Sequence, residues 1–479
     1  MLWRSAQGLL LILGVGFAVV SGLVANALMA PLGASGVLLT SLSAGFAAMI
    51  CFIGLIVLRY AAVQFRDEPD QHRFFWRLVA TLSAILVTAV ADHFLLFWLG
   101  WVTVSLTLHR LLLFYPDRPR AILAAHKKFI FARIAETLLA VVLLTLYWHF
   151  DIVRISALGQ LAHNHVSHLL ALLLVTVAAM KCAQLPVHGW LLQVVEAPTA
   201  VSALLHAGII NLGGYLLLQF TPLLAPAEAA RWLLAVVAGI SMLVAASVTM
   251  TRISVKVRLA WSTVAQMALM LVEISLGYYA LAMLHLVAHS CYKAHAFLMA
   301  GSVVEQHERQ KFAQVGLPKF QSLLLGASVA LVLVVMTVAL VDKAFYLAPW
   351  FAVGMALALW LASEVEQLSW RYAIRTLGNA AAWLLLYSLG VWGLNHLLPS
   401  PASQNYLIGI DIWICLVLVA IASVYFWLLY HPHQALGHRL FIALNAGLYL
   451  DEWATRLTLR MWPLRSRGAA PKFVLENKS

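Results

Sequence analysis

Apolar runs of about twenty residues recur from one end of this chain to the other, and charge seldom interrupts them. At 1.5 Å of rise per residue, such a run matches the roughly 30 Å hydrocarbon layer of a bilayer. Strands of a membrane barrel would instead alternate apolar and polar residues over about ten positions. Of the 479 residues, 63% are hydrophobic and 10% charged, against roughly 25% charged in an ordinary soluble domain. The fold class that follows is an all-α polytopic membrane protein. About fourteen transmembrane helices are expected, near 8–30, 36–58, 76–91, 93–114, 128–148, 167–190, 197–220, 231–251, 259–279, 281–303, 322–342, 345–363, 373–397 and 407–430.

The connections between these runs differ in character. One set is basic: Arg59, Arg66, Arg73 and Arg77; Arg118, Arg120, Lys127 and Lys128; Arg252, Lys256 and Arg258; Arg309, Lys311 and Lys319; Arg371 and Arg375. The other set, at 149–167, 221–230 and 398–406, is poor in basic residues. Basic residues concentrate in cytoplasmic loops, which places the first set and both termini in the cytoplasm and the protein in the cell (inner) membrane. The net charge of +12 is then an orientation signal rather than a nucleic-acid footprint. Cys51, Cys182, Cys291 and Cys415 sit in apolar runs without CxxC spacing, so burial explains them better than a metal or a disulfide. The first run lacks a clear small-residue cleavage site and reads as a retained helix. From His438 to Trp462, leucines and tryptophans are mixed with Arg439, Asp451, Glu452, Arg456 and Arg460, as in an amphipathic surface helix or a partner-docking element. The expected segments are N-terminal helices (1–75), a first unit (76–220), a second unit (231–363), C-terminal helices (364–437) and the surface helix with its tail (438–479).

Ionisable residues inside membrane spans are costly and mark function by default. One stretch concentrates them: Lys181-Cys-Ala-Gln-Leu-Pro186-Val-His188, then Glu196-Ala-Pro198 and a second apolar helix with His206 and the pair Gly213-Gly214. Pro186 breaks the helix where freed backbone groups need protein or water around them. Lys181 either snorkels to the interface or carries protons. Arg133 and Glu136, three apart, share a helix face as a structural ion pair or as the charge that tunes Lys181. His285, His289 and Lys293 recur every four residues with His295 close by, a stripe that suits a proton relay. Zinc is the rival for two histidines at i and i+4, but that face offers no third ligand. Lys256 and Lys343 lie at span ends, as simple anchors or as further relay groups, and Asp92 and His93 fit a structural turn. Lys181 and Lys343, at corresponding breaks, hint at an inverted repeat.

With these residues in view, the chain resembles the proton-translocating, antiporter-like membrane subunits shared by respiratory complex I (the L-type subunit above all) and Mrp cation/proton antiporters. The most specific matches are Lys181-x-x-Gln-Leu-Pro-x-x-x-Trp, Ala-Pro-Thr-x-Val-Ser-Ala-Leu-x-His206 and His285-x-x-x-His289-x-x-x-Lys293. Arg73-Phe-Phe, Leu99-Gly-Trp, Arg133-x-x-Glu136 and Leu448-Tyr-Leu-Asp451-Glu452 add to them. The resemblance implies two inverted five-helix repeats with broken helices. It implies a proton pathway through Glu136, Lys181, His206, Lys256, His285, His289, Lys293 and Lys343, supported by Arg133, Pro186, His188 and His295. One departure is plain: where the family has Leu-Gly-Trp-Glu, this chain has Leu99-Gly-Trp-Val102. That departure, with the expectation that no long lateral helix follows the last span, makes the chain most similar to the DabB-type membrane subunits of dissolved-inorganic-carbon accumulation systems. Their resemblance implies a large cytoplasmic zinc-binding, carbonic-anhydrase-like partner of the DabA type. This chain is then a transport subunit rather than an enzyme, without a cofactor of its own. An H+ or Na+ translocating subunit of a complex I-type or Mrp-type assembly is the alternative, and a stand-alone antiporter a third.

Overall fold

In a computed structural model, residues 2–115, 118–194, 197–302, 319–341, 347–364, 370–397, 406–431 and 434–463 are described. The all-α polytopic class is borne out. Twelve helices among the described residues are long and apolar enough to cross a membrane. The chain begins with α1 (Leu2–Ala25), α2 (Ser41–Gln64), α3 (Gln71–Val90), α4 (Phe94–Leu112) and α5 (Pro119–Phe150). Then come the short helices of the broken region: α6 (His165–Lys181), α7 (Gly189–Gln193), α8 (Thr199–Ala207), α9 (Leu212–Gln219) and α10 (Thr221–Leu224). The remainder is α11 (Glu228–Thr251), α12 (Val255–Leu276), α13 (Tyr279–Leu298), α14 (Phe320–Val341), α15 (Leu347–Glu364), α16 (Trp370–Leu397), α17 (Ile408–Tyr430), α18 (Ala435–Asn445) and α19 (Glu452–Met461).

Local chemistry sets the boundaries. Thr40 and Asn164 close capping boxes with Ser43 and Ser167, and Pro119 opens α5 where a missing N–H costs nothing. Gly277, at φ +89°, ends α12 in the left-handed conformation and turns the chain into α13. A hairpin of β1 (Leu32–Ala34) and β2 (Val37–Leu39), paired Leu32 to Leu39, was not expected. Its Gly36 carbonyl accepts from the N–H groups of Asp92 and His93, seating it over the turn between α3 and α4. Asp92 in turn accepts from the Ser156 N–H and hydroxyl, and His93 caps α4 by accepting from the Leu95 N–H. The structural reading of both residues matches these bonds.

One large apolar core joins α2–α13 with parts of α17–α19. A second, small core holds Ala330, Leu357, Leu361, Ala380 and Leu384, where α14, α15 and α16 meet. The buried Asp411 of α17 accepts from the first N–H groups of α15, at Leu347 (2.8 Å) and Ala348 (2.7 Å), which otherwise lack helical partners. Many large apolar side chains on α1, α14, α16 and α17 face outward, as lipid contact allows.

Tight packing at the break depends on Gly213. A Cβ there would sit 2.8 Å from the Ala178 carbonyl and against the Cys182 sulfur. Gly213→Val is therefore expected to lower stability by about 1–3 kcal/mol. Gly378→Val, on open space in α16, is expected to leave it unchanged. Melting of both variants in mild detergent checks this, and equal melting temperatures would rule the packing account out.

Candidate functional site

The site begins with the break between α6 and α7. α6 stops at Lys181, and Ala183 takes a left-handed φ of +52°, which a residue with a Cβ adopts at some cost. Pro186 is exposed within the break. The freed backbone groups are recovered by side chains. Ser241 of α11 accepts from the Leu185 N–H at 3.0 Å, Gln184 donates to the Cys182 carbonyl at 2.8 Å, and Trp190 donates to the Met180 carbonyl at 3.3 Å. A second break follows at Gly208, where α8 gives way to a short 3-10 turn before α9. Irregular backbone at this depth persists because protein surrounds it.

Lys181 and Glu136 are brought together. With Lys128, Trp101, Phe131, Met180 and others they line a cavity of about 20 Å³, room for about one water molecule. The Lys181 ammonium lies 4.6 Å from the centre of the Trp101 ring, a cation–π contact. Arg133 and Glu136 form an ion pair at 2.6 Å. Lys128 is buried and donates to the carbonyl (2.6 Å) and hydroxyl (2.8 Å) of Ser105, which also accepts from Arg133 at 3.1 Å. Ser105 sits one turn beyond Val102 on α4. Among the described residues around this cavity, three basic groups, Lys128, Arg133 and Lys181, meet one carboxylate, Glu136. The cluster thus carries more proton-bearing groups than counter-charge.

A second group surrounds the stripe on α13. Lys293, fully buried, donates to the Leu259 carbonyl and the Ser262 hydroxyl, both at 3.0 Å. The His289 ring is buried, 6.2 Å from that of His285. His285 has Glu273 on one nitrogen at 3.0 Å and Gln266 on the other at 2.9 Å. His206, fully buried on α8, meets the Thr263 hydroxyl at 3.0 Å and stacks on Phe297 at 4.2 Å. Asn211 donates to Ser290 at 2.7 Å. Gln184 reaches from the first break to the carbonyl of Val264, the neighbour of Thr263. Buried polar side chains therefore lead from one group toward the other.

Other residues take different places. His188 is fully buried against Trp261, ring centres 4.9 Å apart. Lys256 is half-buried in the first turn of α12, one turn before Leu259. His295 is exposed: two residues from Lys293, it points about 200° around the helix, away from the buried stripe. Lys343 lies outside the described residues.

Two basic residues read as loop markers also need correction. Lys127 and Lys128 belong to α5, which starts nine residues before the expected span, and both are buried. Lys127 donates to both oxygens of Asp451 (2.9 and 2.7 Å) and to Thr455 (2.7 Å), while Gln193 of α7 donates to Asp451 at 3.2 Å. The single amphipathic helix expected at His438–Trp462 is instead two, α18 and α19. They are split where Gly447, Leu448 and Tyr449 all take positive φ. The second is held on α5 by the Lys127 pair, by His126 stacked on Trp462 at 4.1 Å and by Phe131 against Trp453. Burial pushes the Asp451 carboxyl above the ordinary carboxylate range, and the Lys127 ammonium opposes that rise. Beside this clamp lies a cavity of about 520 Å³, lined by His188, Arg252, Trp261, Asp451 and Arg456 among others.

Residues 91–365 match the family model for the transmembrane region of NADH:quinone oxidoreductase and Mrp antiporters. The chain belongs to this family. It is 43% identical, over 87% of its length and 82% of the relative's, to the "Probable inorganic carbon transporter subunit DabB" of Hydrogenovibrio crunogenus. It is 34% identical over 89% of its length to the "Probable inorganic carbon transporter subunit DabB2" of Halothiobacillus neapolitanus, covering 80% of that protein. NADH-quinone oxidoreductase subunit L of Mycobacterium tuberculosis is 32% identical over 59% of this chain and 46% of its own. The fold is similar to that of the Mrp complex from Dietzia, with a TM-score of 0.55 at 18% identity, covering 97% of this chain and 57% of the Mrp one. The fold is that of an antiporter-like membrane subunit, as the family places it.

The clamp makes a quantitative prediction. Asp451→Leu leaves the fully buried Lys127 without its carboxylate and is expected to cost about 3 kcal/mol. Lys127→Met with Asp451→Leu should recover most of that loss. Detergent melting of the single and double variants checks the cycle, and simple additivity would contradict the pairing.

Proposed function

We propose that this chain is the proton-conducting membrane subunit of an inorganic carbon accumulation system. On this reading it couples the proton motive force to a large cytoplasmic, zinc-binding, carbonic-anhydrase-like partner of the DabA type. The observation that carries the reading is the 43% identity, over most of both chains, to the H. crunogenus DabB subunit. The buried lysines and histidines supply a physical means. An ammonium in a low-dielectric interior needs compensation, and its hold on a proton follows the charges around it. Glu136, Lys128 and Lys181 line one cavity, so the charge on each bears on the others. A proton reaching or leaving this cavity thus changes the balance at its neighbours. His206, Lys293, His289 and His285 extend the path along α8 and α13, and Lys256 and Lys343 stand as further members of it. Zinc and the carbon chemistry belong to the partner.

Subunit L relatives and the family model support a second reading, an H+ or Na+ translocating subunit of a complex I-type or Mrp-type assembly. Affinity purification in mild detergent, with mass spectrometry and zinc analysis, separates the two. One large zinc-bearing soluble subunit is expected. A set of quinone- or cation-linked membrane subunits would overturn the carbon reading.

In the purified complex reconstituted into vesicles, Lys181→Ala and Glu136→Gln are each expected to abolish proton flux at normal insertion. Lys128→Met should reduce it by about tenfold or more, the scale of a positioned proton-transfer group. A pH-sensitive dye inside the vesicles reports the flux. Wild-type flux in both Lys181→Ala and Glu136→Gln would remove the first cluster from the path.

A further inference from the structure

α12 runs beside the α13 stripe and offers it a polar face. Leu259 and Ser262 receive Lys293 near the start of α12, while Gln266 and Glu273 receive His285 further along. The stripe is about 12 Å long, eight residues of helix from His285 to Lys293. Its two ends are held differently. Among the described residues Lys293 donates to neutral oxygens and lies over the Tyr292 ring, whereas His285 meets a carboxylate. Glu273 is buried, and both of its oxygens lie 3.0–3.1 Å from the His285 Nδ1. The other ring nitrogen, Nε2, faces the Gln266 side-chain oxygen at 2.9 Å. A ring whose two nitrogens both face acceptors is satisfied as the imidazolium, which donates from each. A neutral ring keeps one donor, and Gln266 must then present its NH2 to the bare nitrogen instead.

We propose that Glu273 and Gln266 make His285 a proton-holding station at the end of the stripe away from Lys293. This deepens the proton-path reading and rests on it. In the loaded state the Nδ1–H donates to Glu273 and the Nε2–H to the Gln266 oxygen. On unloading, the Nε2–H bond breaks and the proton passes through water toward the His289 Nε2, which has no hydrogen-bond partner among the described residues. The ring centres are 6.2 Å apart, too far for a direct bond, so a bridging water is required. The Gln266 amide turns over and donates to the bare Nε2, while Nδ1–H stays on Glu273. Charge balances at each step: the pair is neutral when loaded and carries the Glu273 charge when empty. Glu273 is thus a positioning residue that acts through His285.

Glu273→Gln removes the counter-charge while keeping size and one acceptor. In reconstituted vesicles it is expected to lower proton flux by about tenfold or more, as loss of a group that positions a proton carrier does. Glu273→Asp should restore most of the flux. In protein labelled with 15N-histidine, the signal lost in His285→Gln should show two protonated nitrogens in the wild type and one in Glu273→Gln. A merely structural role would leave that signature in place. Wild-type flux and signature in Glu273→Gln, with Lys293→Ala inactive, would overturn the station and spare the path. Wild-type flux in both Glu273→Gln and Lys293→Ala would overturn both.

Discussion

The cost of placing charge in a low-dielectric interior shapes this molecule more than any other interaction. An uncompensated ammonium or carboxylate loses most of its hydration there, and a single partner seldom restores it. The buried Lys127, Lys128 and Lys293 each meet at least two oxygens, and Glu136 and Glu273 each face a cation or an imidazole. The partners differ in kind, however. Lys127 has a carboxylate and builds a clamp. Lys128 and Lys293 donate to neutral oxygens of Ser105, Leu259 and Ser262. The lysine of the clamp and the lysines of the two polar clusters are thus distinguished by what they touch.

Broken helices serve the same requirement. A continuous α6 would bring its backbone groups no closer to the polar side chains, and Lys181 would sit beside closed hydrogen bonds. Stopping at Lys181 lets Gln184 and Ser241 take up the freed groups and puts a buried amide within reach of α12. The close approach of α9 to α6 needs Gly213, so the glycine and the break belong to one design. The break also brings Gln193 of α7 to Asp451, so the C-terminal clamp and the first cluster share the α5–α7 wall.

The helical membrane class was legible in run length, because a bilayer fixes how much apolar chain a span needs. So was the polar stripe on α13, since a four-residue spacing specifies one face wherever the helix packs. The ends of helices were less legible. α5 carries mixed polarity over its first nine residues, and hydropathy cannot separate a polar helix end from a loop; Lys127 and Lys128 were therefore assigned to a connection. His295 was grouped by nearness in sequence, where angle around the helix is what counts. Glu273 was missed although a lone carboxylate within an apolar run is itself a signal. Gln266 and Ser262, seven and eleven residues before it, lie on its face of α12 and strengthen that signal. The Lys127–Asp451 pair, 324 residues apart, could come from tertiary structure alone.

The clamp ties the last helix to the first polar cluster. α19 covers the end of α5 from which Lys128, Arg133 and Glu136 follow within nine residues of Lys127. The chain enters α19 through three consecutive left-handed residues, two of them with side chains, a conformation that costs free energy and persists only where contacts hold it. Asp451 supplies such a contact, and it lines the same cavity as the fully buried His188. A force on α19 would therefore be felt at Lys127, one residue from Lys128, and at the wall of the break. The clamp thus gives mechanical continuity between a surface helix and the first polar cluster. It arises here from one ion pair and two ring contacts.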